Sequence, residues 1–213
     1  MSTKKRITRT LLLALVGLGI GGFIAWVQVQ GEKGQRVAQQ SAPAPRSVAG
    51  ITLDASFSLT DHTGKAVTEE DYAGDYKLIY FGFTYCPAIC PTELQKITQV
   101  LDSLDQAQAE KIQPLFITID PERDTVEVMR EYVDLFHPRL VGLTGTPAEI
   151  EQVKSGYKVF AAKAPLEDGS DYTMDHSSFI YLMGPDNATL AIYRMQDDAE
   201  MMRADITQIL TQS

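Results

Sequence analysis

Hydrophobic positions follow three patterns along this chain. Residues 11–27, LLLALVGLGIGGFIAWV, form one uninterrupted apolar run. Residues 30–49, QGEKGQRVAQQSAPAPRSVA, hold no large apolar side chain beyond two valines. After Gly50, short apolar runs alternate with stretches of helical period, which is how an α/β sheet reads. Residues 57–60 predict a first strand, followed by the turn Asp61-His62-Thr63-Gly64. KLIYFGF, residues 77–83, is near-continuous and β-favouring, the mark of a strand buried on both faces. Pro91 then opens a helix, since proline is tolerated at a first helical position, and Leu94, Ile97, Val100, Leu101 and Leu104 follow at helical spacing. Further strands are predicted at 112–119 and 140–143, with helices at 124–136 and 147–155. A hairpin of 178–183 with 189–194 turns about Gly184-Pro185-Asp186-Asn187, and a last amphipathic helix carries Met202, Ile206, Ile209 and Leu210.

Strand, helix, strand, helix, strand, then a hairpin and a final helix is the order of a thioredoxin-like domain with an insertion. The predicted fold is therefore α/β, a central mixed sheet flanked by helices over residues 51–213, with an N-terminal transmembrane helix at 11–29. About 17 to 25 apolar residues span a bilayer core. A cleaved secretory signal has a shorter apolar region, about 7 to 15 residues, ending at a small-residue site. The uncleaved anchor is the preferred reading. Lys4, Lys5, Arg6 and Arg9 precede the run, and basic residues stay on the cytoplasmic side. Residues 1–10 are then a cytoplasmic N-terminus and residues 30–50, with Pro43 and Pro45, a flexible tether. The expected setting is a single-pass protein of a bacterial inner membrane, its C-terminal domain in the periplasm.

Charge divides the chain at the same place. Residues 1–50 hold seven Lys or Arg against one acid, Glu32, for a net +6, so the rest of this 213-residue chain of net charge −9 carries −15. So acidic a domain is a poor partner for phosphate backbones, and nucleic acid is set aside.

The only two cysteines, Cys86 and Cys90, fall after the buried strand and before the helix at Pro91. Partial positive charge at a helix N-terminus stabilises thiolate, and Cys90, next to Pro91, is the better placed of the two. A purely structural disulfide fits poorly, because closing a loop of about five residues contributes only roughly 2 kcal/mol in the simple entropic model. Two thiolates suit Cu(I) or Zn(II), and one imidazole completes a Cys2His set whose three-coordinate form favours copper. Of three histidines, His62 sits in a turn and His137 at a helix end, where local roles are the simpler reading. His176 stands in the loop Tyr172-Thr173-Met174-Asp175-His176-Ser177, which in a thioredoxin-like fold lies against the cysteine loop. The methionines of the last forty residues read as core filler; Met174, two residues from His176, is the one among them worth testing as a ligand.

Four segments then resemble the Sco/SenC family: residues 83–94, FTYCPAICPTEL; residues 114–125, PLFITIDPERDT; residues 142–145, GLTG; and Asp175-His176-Ser177. They occur in the family's order across about residues 53–210. The resemblance implies a membrane-anchored copper protein that helps assemble the dinuclear copper (CuA) centre of cytochrome c oxidase. It matches Cys86, Cys90 and His176 to the family's copper ligands, with Cys86 and Cys90 also a redox-active disulfide. Copper as Cu(I), Cu(II) or both is the implied cofactor. Asp120 and Asp124 match an acidic segment with a role in supporting the metal or docking a partner, and Asp175 joins them beside His176. Local roles compete for both, since an Asp after a buried strand and another at a helix start need only local chemistry.

The implied partner is the copper-bearing subunit of the oxidase, together with other periplasmic copper chaperones or thiol reductants and the inner membrane itself. The chain is thus expected to be a metallochaperone rather than an enzyme. The alternatives are a thiol-disulfide reductase that keeps the oxidase's copper-site cysteines reduced, and a redox or copper sensor. Against the reductase stand the three residues between the cysteines, where the usual redox pair has two, and the lack of a proline directly before residues 178–183. A peroxide-reducing relative is disfavoured because Phe83 and Pro87 stand three residues before the cysteines, where such an enzyme needs a Thr.

Overall fold

The computed structural model describes residues 52–166 and 171–212. The expected anchor at 11–29 and tether at 30–50 lie outside them, and among the described residues no helix is long and apolar enough to cross a membrane.

Strand β1 (Ser58–Asp61) turns back into the short β2 (Ala66–Thr68). The strand predicted at 77–83 is β3, Tyr76–Gly82, with all seven residues buried. It leads through the cysteine loop into helix α1 (Ile89–Ser103) and the single turn α2 (Gln106–Ala109). Then follow β4 (Ile112–Thr118), α3 (Val126–Val133), β5 (Val141–Thr144) and α4 (Pro147–Tyr157). β6 (Ala161–Pro165) and β7 (Tyr172–His176) pair only with each other. β8 (Phe179–Met183), β9 (Thr189–Arg194) and α5 (Ala199–Gln212) close the chain.

Seven strands form one mixed sheet in the order β2-β1-β5-β4-β3-β8-β9, parallel through β5, β4 and β3 and antiparallel outside them. Helices cover both faces, which is why β3 and β4 read as continuous apolar runs. On one face Tyr80 stacks near Phe116, which meets Tyr132 of α3. On the other, Phe81 meets Tyr157 of α4 and Tyr181 of β8. Each such buried side chain stabilises the fold by about 1.5–3 kcal/mol. The sheet, the covering helices and a cysteine pair between the first central strand and its helix make this the thioredoxin-like architecture the element order foretold.

Helix ends follow local chemistry. Thr146 and Glu149 form a reciprocal capping box at α4 with Pro147 in its first turn. The helix expected over 124–136 is shorter, because Thr125 rather than Asp124 caps it and it ends at Val133. α1 begins at Ile89, two residues before Pro91, so Cys90 lies inside its first turn. The segment read as a loop around His176 is instead strand β7, whose polar alternation and short length hid it.

Candidate metal centre

The cysteine loop begins where β3 ends. Gly82 makes the close approach possible: a Cβ there would stand 2.8 Å from Cys90 Sγ, 2.9 Å from Tyr80 Cε1 and 3.0 Å from Phe116 Cε2. Asp124 anchors the loop from the side, accepting from the Thr84 hydroxyl at 2.6 Å, the Thr84 amide at 3.1 Å and the Thr118 hydroxyl at 2.5 Å. Burial pushes its carboxyl pKa up, against the pull of those donors.

Both cysteines are free thiols, and they differ sharply. Cys90 is fully buried, with Tyr80 Oη donating toward its sulfur at 3.6 Å while the same oxygen contacts Ser178 Oγ at 3.0 Å. Cys86 Sγ accepts the Cys90 amide at 3.3 Å. The Cys90 thiol hydrogen-bonds to the Cys86 sulfur, and this bond is the main cause of a lowered Cys86 pKa, with His176 and the helix-start amides of Cys90 and Ala88 adding to it. The same bond, followed by burial, pushes the Cys90 thiol up. The shared hydrogen bond favours thiolate on Cys86 and the proton on Cys90. This reverses the sequence expectation that Cys90 is the favoured thiolate. The Cys90 amide at the start of α1 points at Cys86, whereas the burial of Cys90 within the first turn disfavours its charged form in the metal-free protein.

His176, at the end of β7, brings Nε2 to 3.8 Å from Cys90 Sγ across 86 positions of sequence. Its Nδ1 donates to the Ser177 carbonyl at 2.8 Å, which fixes the ring with Nε2 turned toward the sulfurs. Phe83 and Tyr80 hold the imidazole edge-on, at ring separations of 5.8 and 6.5 Å. Metal–sulfur and metal–nitrogen bonds of about 2.3 and 2.0 Å, opened by about 120°, would set two donors about 3.7 Å apart. The Cys90–His176 spacing suits that span. Among the described residues no three His, Cys, Asp or Glu side chains are already gathered tightly enough to grip an ion.

A cleft of about 320 Å³ opens over these residues, lined among others by Cys86, Met174, Asp175, His176 and Met195. A larger hollow of about 500 Å³, between α1, Phe136 and the start of α5, contains no soft donor.

The acidic candidates separate. Asp175 is exposed at the cleft. Asp120 is buried and spoken for: Arg123 Nε donates to it at 2.5 Å and the Tyr172 hydroxyl at 2.9 Å. With Asp124 equally enclosed, neither offers a free carboxylate to a partner surface. Arg123 is more than an ion-pair partner for Asp120. Its guanidinium lies 3.8 Å from the Tyr172 ring centroid and 4.8 Å from that of Tyr85, joining β7 to the cysteine loop. His62 accepts the Gly142 amide through Nδ1, and His137 accepts the Arg139 amide, with burial lowering the His137 pKa. Both are local fixtures, as expected.

The supporting residues Gly82 and Ser178 were not singled out by sequence reasoning, whereas Tyr80 was read with the other aromatics of its strand run as a core and site-wall residue. Of the first two, only Gly82 carried a signal, as a glycine inside a strand run.

The SCO1/SenC family model matches residues 46–211. This chain belongs to that family. The cattle protein "Protein SCO2 homolog, mitochondrial" (Bos taurus) is 45% identical over 196 residues, covering 92% of this chain and 72% of its own length. The crystal structure of Arabidopsis thaliana ScoI with copper bound is 41% identical, covers 76% of this chain and 99% of that one, and superposes with a TM-score of 0.72. The copper-bound structure of Bradyrhizobium japonicum ScoI is 43% identical, covers 73% and 98% of the two chains, and has a TM-score of 0.67. The placement in a bacterial inner membrane facing the periplasm is corrected by these relatives, since the SCO1/SenC members from cattle, human and yeast carry mitochondrial names. A basic flank before an apolar run governs orientation across a membrane and says nothing about which membrane it is.

Proposed function

We propose that this chain is a copper metallochaperone that delivers copper to, or assists assembly of, the dinuclear CuA site of cytochrome c oxidase. Cys86, Cys90 and His176 hold the ion, and residues 11–29 tether the domain to a membrane beside the copper-bearing oxidase subunit. The observation that carries the reading is the 3.8 Å approach of His176 Nε2 to Cys90 Sγ, beside a Cys86 sulfur already favoured as thiolate. Family membership and the copper-bound relatives support it.

Copper is cargo here. Thiolate and imidazole suit Cu(I), and the imidazole keeps Cu(II) within reach. Cys86 presents the first thiolate. Binding then displaces the proton held on Cys90, and His176 closes from the hairpin side. Release runs by ligand exchange, the recipient's thiolates replacing these donors one at a time. Oxidation of the cysteines to a disulfide removes both thiolates, so loading requires the reduced pair.

The test is copper stoichiometry of the reduced full chain. A single bound ion is expected in the wild type, with loss of tight binding in Cys86→Ala, Cys90→Ala and His176→Ala. Unchanged stoichiometry in all three would sink the proposal. The thiol-disulfide reductase remains the second reading, favoured by one feature: a low-pKa cysteine sharing its proton with a buried partner is the arrangement of a reactive dithiol. A mixed disulfide trapped with the oxidase subunit through Cys86 in a Cys90→Ser variant would support it.

A further inference from the structure

The copper site leaves Met195 unexplained. β9 ends at Arg194, and the chain then enters a tight turn in which the Asp197 amide donates to the Arg194 carbonyl at 2.9 Å and the Arg194 amide to Asp197 Oδ2 at 2.8 Å. A second clamp comes from α1, where Lys96 Nζ donates to the Met195 carbonyl at 3.1 Å. Lys96 is itself fixed by both oxygens of Glu93, at 2.8 and 3.0 Å, and the two side chains are only 11% and 3% exposed. A nearly buried ion pair contributes little stability, because desolvation offsets its attraction. This pair turns a remaining donor onto one backbone carbonyl. The result is a fixed backbone under a side chain that is 51% exposed and lines the cleft with Cys86 and His176.

The sulfurs of this region form a gradient of burial. Met195 is half exposed, Met174 and Cys86 are 9% exposed, and Cys90 is wholly buried. An ion arriving from outside therefore meets Met195 before it can meet Cys90. A thioether is a soft, neutral donor that prefers Cu(I) to harder ions and binds without losing a proton.

We propose that Met195 is the first protein ligand for incoming Cu(I): its Sδ takes the ion at the cleft mouth and passes it to Cys86, with Met174 along the path and Glu93 and Lys96 as positioning residues. The inference rests on the copper-carrying function proposed above. The step is ligand exchange, with no change in oxidation state. The Met195 sulfur leaves as neutral as it arrived, and the Cys86 thiolate replaces it on the ion.

The test uses the reduced full chain in detergent micelles, loaded from a Cu(I)–bicinchoninate complex and followed by stopped-flow absorbance. Met195→Leu, a surface swap of similar volume, is expected to slow loading about tenfold while leaving the final copper content and equilibrium affinity within about twofold of wild type. In a Cys86→Ser, Cys90→Ser chain labelled with 13C-methyl methionine, Cu(I) is expected to shift the Met195 methyl resonance. A Met195→Leu chain that loads at the wild-type rate overturns the proposal, as does an unshifted methyl resonance. A wild-type chain that takes no copper overturns instead the function on which it rests, so the two failures are distinct.

Discussion

The cysteine half and the histidine half of the cleft are built by opposite means. Cys86 and Cys90 hang from β3, the strand between β4 and β8 in the seven-stranded sheet, and their loop is locked by the Gly82 contact and the Asp124 hydrogen bonds. His176 stands at the end of a two-stranded hairpin outside that sheet, whose residues are mostly half-buried or exposed. An isolated hairpin is marginal in water. This one depends on side attachments: Arg123 and Asp120 at Tyr172, and the ion pair of Lys163 with Glu122 at 2.6 Å. The difference teaches where the site can yield. Two donors are held by the core, while the third sits on an element that can shift without disturbing the sheet.

The largest effect should come from unlocking the fixed half. Asp124→Ala strands the Thr84 amide and the buried Thr118 hydroxyl. Leaving buried donors unpaired costs about 3 kcal/mol in all. In a domain of this size that lowers Tm by roughly 6–12 °C, measurable by calorimetry. Loosening of the cysteine loop should accompany it. A Tm within about 1 °C of wild type would show that the loop does not depend on this latch.

Arg123→Ala addresses the other half and should act locally. It removes the ion pair to Asp120 and the contact with Tyr172, so hairpin amides at 161–164 and 172–176 should exchange about tenfold faster, equivalent to about 1.4 kcal/mol of local opening. The amides of Tyr76–Gly82 should be unaffected. Hydrogen exchange resolved by fragment reads both at once. Uniform acceleration across the domain would erase the distinction between the halves.

What the sequence disclosed follows the same division. β3 was legible because burial on both faces leaves a continuous apolar run, and α1 because Leu94, Ile97, Val100 and Leu101 keep helical period on its buried side. The three proposed ligands were reached through residue chemistry and the family motifs; Cys86 and His176 line one cleft, and Cys90 lies buried with its sulfur 3.8 Å from His176 Nε2. The hairpin was not legible as strands: AAKAP and YTMDH have no strong apolar alternation, and they are held by cation–π and ionic contacts with residues about 40 to 50 positions away. Nor was the charge state of the cysteines. Spacing placed Cys90 near a helix start, but which sulfur receives the helix amides and which is buried is decided by backbone direction, on which sequence spacing is silent.

The smallest effect tests the asymmetry inside the fixed half. With its pKa lowered, Cys86 stays thiolate well into the pH range where an ordinary cysteine is protonated. Its alkylation by iodoacetamide in the reduced, metal-free protein should therefore be nearly flat from about pH 5 to 8, whereas an ordinary thiol gains about tenfold per pH unit there. Cys90, buried and with its pKa raised, should stay unlabelled until the chain unfolds, which peptide mass spectrometry can score. Tyr80→Phe then removes the hydroxyl facing Cys90 and Ser178, at a cost of about 1 kcal/mol. Because the Tyr80 hydroxyl meets Cys90 and not Cys86, losing it should push the Cys90 thiol still higher and leave the flat Cys86 profile in place. A Cys86 rate that climbs tenfold per unit across that range would mean that Cys86 keeps its own proton there, and the asymmetry between the two sulfurs would be gone.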